Sequence, residues 1–129
     1  MDVPRPELIL DLSGGGVTAE EVRKMFPSPV CFTAFIDGSR APDKAGLMSA
    51  LAEAFRFPAY FGKNWDALLD CLRSLPEEIP AGGYVLAIEN SKMFLAASPK
   101  DLEDFLDIAG EAKKFLSGKL KIGFSIVLL

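Results

Sequence analysis

Apolar residues along this chain fall into two kinds of pattern. Short, nearly unbroken runs occur at residues 7–12 (ELILDL), 30–36 (VCFTAFI), 83–89 (GYVLAIE) and 122–129 (IGFSIVLL). Runs of this length, rich in β-branched and aromatic residues and bounded by Gly, Pro, Asp or Asn, predict buried strands. Between them the apolar spacing is helical. Thr18 with Glu21 three residues later forms a capping-box signature, which opens a helix that Pro27-Ser28-Pro29 must end. From Asp43 onward, Leu47, Met48, Leu51, Ala52 and Phe55 share one stripe. Asn64, a good N-cap, opens a helix predicted to run to about Leu75, where Pro76 stops it. Pro99 suits the first turn of a long helix that ends near Ser117-Gly118. Apolar strands separated by helices predict an α/β fold, with a parallel sheet covered on at least one face. Adjacent strands are expected at 30–36, 83–89 and 122–129, with a candidate fourth at 7–12.

Composition narrows the chemistry. The chain has 129 residues, 50% of them hydrophobic, including ten Phe, which is enough to build one core without disulfides or metal. A single domain over residues 1–129 is expected. There is no histidine and there are only two cysteines, Cys31 and Cys71. The commonest general base is therefore missing, and a Cys/His zinc site cannot be assembled. Neither a metal nor a cofactor is expected. Eighteen acidic against fourteen basic residues give a net charge of −4, so the basic footprint of a nucleic-acid binder is absent and a charged partner would be cationic. The N-terminus lacks the basic patch and long apolar run of a secretory signal, and the C-terminal apolar run is too short to span a bilayer. Cytoplasm is the expected compartment, with both cysteines read as small core hydrophobes.

On a helical wheel, Trp65, Leu68, Cys71, Leu72 and Leu75 form one broad apolar arc, the side a sheet would bury. Asp66, Leu69, Asp70 and Arg73 fall on the opposite arc at spacings that make them one contiguous patch, expected to face solvent. An apolar residue between two carboxylates is what distinguishes it from an ordinary solvated face. The long helix repeats the theme. Leu102, Phe105, Ile108, Ala109, Ala112 and Phe115 share its apolar side, and Asp104, Asp107 and Glu111 line its flank. Taken alone, that second stripe is what most amphipathic surface helices show.

Residues 58–72, PAYFGKNWDALLDCL, resemble the signature of the barstar family of intracellular ribonuclease inhibitors: an aromatic pair, Gly, Asn, then a helix containing D-A-L-x-D-C-L. The order of elements agrees over residues 30–129, which the resemblance makes a barstar-like core, with residues 1–29 an N-terminal extension of the same domain. In that family the loop and the helix after it, with one glutamate from a later helix, plug the ribonuclease active site, their carboxylates occupying phosphate positions. Carried over, the resemblance implies that Tyr60 is the loop aromatic, Asn64 caps the helix, Asp66 and Asp70 are the helix carboxylates, and Glu111 is the acid from the second helix. Cys71 matches a family cysteine on the buried side. The implied partner is a basic ribonuclease or a ribonuclease-type toxin, bound without nucleic acid or membrane and without catalysis by the inhibitor. Three departures surround the acidic pair: Leu69 and Leu75 stand where the family has tryptophans, and Arg73 where it has a threonine. A cation inside a surface meant for a basic enzyme discriminates against some nucleases.

Two other readings compete. Gly14-Gly15-Gly16-Val17-Thr18-Ala19 fits the dinucleotide fingerprint G-x-G-x-x-A between a predicted strand and helix, with Asp37 ending the next strand as a ribose ligand. The same glycines serve equally well as a flexible turn. An enzyme using Asp66 and Asp70 as an acid–base pair is the other, but carboxylates one turn apart on a convex helix lack a pocket and a nucleophile.

Overall fold

In the computed structural model, which describes residues 7–28, 30–59 and 61–129, the predicted α/β architecture is present. The strands are β1 (Ile9–Asp11), β2 (Cys31–Asp37), β3 (Gly83–Glu89) and β4 (Gly123–Leu128). The helices are α1 (Ala19–Met25), α2 (Lys44–Ala54), α3 (Trp65–Arg73), α4 (Leu75–Glu78) and α5 (Pro99–Lys119). All four strands are parallel and ordered β1-β4-β3-β2. The 7–12 run is therefore a true strand, and it widens the sheet beyond β4.

Side-chain oxygens start each of the larger helices. Thr18 accepts from Glu21 N, Asp43 from Gly46 N, Asn64 from Ala67 N and Ser98 from Asp101 N. Each satisfies one of the amide groups that a helix N-terminus leaves open. Pro76 behaves differently from expectation. The α3 ladder stops at Arg73, and Pro76 then lies in the first turn of the short helix α4. A proline lacks the N–H that would continue α3, yet its fixed φ is preorganised for the start of a new turn.

The main core lies between one face of the sheet and α2, α3 and α5, around Leu47, Leu51, Leu68, Leu72, Leu86, Phe105 and Ile126. Every residue of the central strand β3 before Glu89 is buried. A much smaller cluster, Val22 with Val85, Ala87 and Val127, holds α1 against the other face. The long helix α5 is tied to the sheet by Lys113 Nζ, which donates to the Phe124 carbonyl at 2.8 Å.

Candidate functional site

The site begins with the loop between α2 and α3. Residues with left-handed backbone stand at its two ends, Arg56 (φ 56°) and Lys63 (φ 53°), so the chain turns sharply on leaving α2 and again on entering α3. Between them a run of aromatic rings braces the loop against the sheet. Phe32 meets Phe55 at 6.1 Å, Phe55 stacks on Phe57 at 5.9 Å, and Phe57 meets the edge of Phe61 at 5.0 Å. Tyr60, the aromatic implied for partner contact, lies outside the described residues.

Asn64 closes the loop and opens the helix. Its Oδ1 accepts from Ala67 N at 2.8 Å, and its Nδ2 donates back to the Gly62 carbonyl at 3.4 Å. A Cβ on Gly62 would come within 3.2 Å of that Nδ2, so glycine leaves room for the cap. Beyond the cap, α3 buries Leu68 and Leu72 and exposes Asp66 and Asp70. The two carboxylates are one turn apart on a short, capped helix, and Asp66 in its first turn lies where the helix dipole favours negative charge.

Leu69 and Arg73 correct the expectation that they would face solvent. Both are half-buried, because α5 packs along that flank of α3. Leu69 joins the periphery of the main core. The Arg73 guanidinium lies over the Phe115 ring with its carbon 5.6 Å from the centroid, and its Nε is buried without a hydrogen-bond partner. Arg73, Glu111, Lys114 and Lys119 line one shallow basin there. The structure therefore brings Glu111 beside Arg73, on the α5 side of the exposed acids.

On the other flank, Asp70 borders a cleft of about 190 Å³ floored by Phe55, Phe57, Pro58 and Leu75. Arg56, Glu77 and Glu78 complete its rim. These three were missed as site residues. The Pro76-Glu77-Glu78 sequence carried the signal, since proline at a helix start brings the acids after it into a first turn beside α3. Cys71 also lines this cleft, and burial, followed by the nearby Asp70 and Glu78 charges, pushes its thiol up from the ordinary range. That thiol is a poor nucleophile and behaves as a packing residue.

The glycine turn and Asp37 are not brought together. β1 and β2 form opposite edges of the sheet, with β4 and β3 between them, whereas the dinucleotide fingerprint needs its two strands adjacent. The Asp37 carboxylate instead accepts from Asn90 Nδ2 at 2.8 Å and from the amide and hydroxyl of Ser39. Beside the glycine turn is a cavity of about 560 Å³, but Thr18 Oγ1 is engaged with Glu21, Ser13 Oγ with Asp11 and Ser91 Oγ with the Leu129 carbonyl. Among the described residues no group of three or more His, Cys, Asp or Glu side chains is placed to hold a metal ion. None of the described helices is long and apolar enough to cross a membrane.

The family model described as Barstar (barnase inhibitor) matches residues 31–128. The chain belongs to the barstar family. No curated protein matches it. The barstar match starts at the first residue of β2 and ends at the last residue of β4, so β1 and α1 lie outside it. Within the barstar segment fall the loop, its cap, both helix carboxylates and Glu111.

Proposed function

We propose that this barstar-family chain inhibits a basic ribonuclease or a ribonuclease-type toxin in the cytoplasm, plugging its active site with the exposed face of α3. The whole of residues 1–129 acts as one unit, does no chemistry of its own and needs no cofactor. What chiefly supports this is the pair Asp66 and Asp70, both exposed on a helix whose N-cap and buried face are fixed. A ribonuclease must hold cations where the phosphates of its substrate bind. Carboxylates carried on a capped and packed helix meet those cations with charge-assisted hydrogen bonds at a lower ordering cost than on a free loop. Complementary fields also speed encounter, which matters when a free nuclease endangers the cell that makes it. Asn64 borders this surface from the loop and Tyr60 is assigned to partner contact by the family resemblance, while Leu69, Arg73 and Glu111 form its α5 side and set which nuclease fits.

The test is capture of native partners on the immobilised protein, followed by an RNA-cleavage assay on what is retained and on barnase. Stoichiometric inhibition of a Lys/Arg-rich ribonuclease is expected. Retention of no ribonuclease, together with undiminished RNA cleavage by barnase at excess inhibitor, would refute the reading.

A further inference from the structure

The two edges of the sheet are unlike. β1, at one edge, is three residues long and ends in Asp11. At the other edge β2 runs for seven residues, and its ladder with β3 is unbroken from Cys31↔Gly83 to Asp37↔Glu89. Within the sheet β2 pairs with β3 alone, so alternate amides and carbonyls along it point away from the sheet. Edges of this kind are normally blunted by shortness, proline, lysine or an inward charge. β1 has the first of these protections. β2 has no proline and no charge before its last residue.

Along β2 runs a groove of about 690 Å³, bounded on one side by the α2 residues Gly46, Ser49, Ala50 and Glu53. Their spacing is that of one helix face, and only Glu53 is long, so a second helix has room to approach. Charges mark the two ends. Phe55 packs on Phe32 and Arg56 lies over the same ring, which places the end of α2, with Glu53 and Arg56, at the start of β2. At the other end stand Arg40 and Glu89. All four of these side chains are exposed.

We propose that β2 is a self-association edge, at which two copies of the chain pair antiparallel about a two-fold axis near Ala34 and join their sheets into one of eight strands. Antiparallel pairing sets the start of one β2 against the end of the other. Glu53 then faces Arg40 of the second copy, a contact that occurs twice. About that axis Phe32 lies opposite Ile36 and Thr33 opposite Phe35, cross-strand pairs of the favourable aromatic and β-branched kind. Such an isologous interface is closed, so association ends at the dimer. The net charge of −4 on each copy opposes approach only weakly, because repulsion beyond about 8 Å is screened at physiological salt.

Sedimentation velocity from micromolar to millimolar concentration tests this, and it reads the association of the chain with itself, independently of any ribonuclease. A concentration-dependent dimer is expected. Glu53→Arg and Arg40→Glu should each raise the dimer Kd at least ~10-fold, and the double variant should recover most of the loss. Thermal unfolding of each variant checks that these exposed substitutions leave the fold intact. A wild-type chain that stays monomeric at millimolar concentration overturns the proposal. So does a dimer indifferent to both single substitutions, or a double variant no better than the singles.

Discussion

Asp70 stands opposite the buried Leu68 and Leu72 on α3, exposed and between the aromatic-braced loop and the Arg73 flank. In the centre of an interface its loss would leave partner cations buried without a counter-charge, whereas Glu103 on α5 is exposed and outside the site. Asp70→Ala should therefore weaken ribonuclease binding by at least ~2 kcal/mol while Glu103→Ala leaves it unchanged, as read by calorimetric titration. The unfolding midpoints of both should stay close to wild type. Arg73 supplies the opposite case. Its charge lies beside the acids and disfavours a cationic partner, so Arg73→Thr should tighten binding to a basic ribonuclease by on the order of 1 kcal/mol, an effect that shrinks as salt is added. At this scale the two aspartates and the cap were legible from one helix wheel. The half-burial of Leu69 and Arg73 was not, because what covers them is Phe115 and its neighbours on α5, a helix distant in sequence.

Among the elements, α3 depends most on its ends. It is nine residues long, too short to persist without its cap and its buried face. Removing the Asn64 side chain, which accepts from Ala67 N, should cost about 1 kcal/mol in denaturant unfolding. Affinity for the ribonuclease should fall as well, because the turn carrying Asp66 frays. Glu103→Ala, at an exposed residue outside the site, would affect neither, so parallel measurement of stability and affinity separates the cap from a mere contact. Strands and helix starts were readable because apolar runs and capping side chains act locally. Pro76 shows the limit of that legibility: its missing N–H told that α3 must end, but whether the chain then loops or starts a new turn was decided by the packing of Leu75 into the core.

At the scale of the whole molecule, strand order matters most, and nothing local encodes it. The ends of β2 and β3 are joined through Asp37, whose carboxyl is held below the usual aspartate range by the Asn90 side chain, then by the Ser39 hydroxyl and amide. A depressed folded pKa means stabilisation that is complete above the unfolded value and lost as pH falls through the folded one. Acid titration of stability should thus show wild type and Asp37→Asn differing at neutral pH and converging below the ordinary aspartate range. A constant gap at all pH values would mean that the contact does not depend on the charge. On the far face, α1 rests on the small Val22 cluster, so Val22→Ala should loosen α1 and cost about 2–3 kcal/mol, read as early loss of amide protection in residues 19–25. The pairing of β1 has a consequence for synthesis. β1 hydrogen-bonds only to β4, so it stays unpaired while everything between them is being synthesised. Residues 7–12 must wait, apolar and unpaired, until β4 has been made. The barstar-matched segment can assemble first, and closing the longest loop in the chain is left as the final folding step.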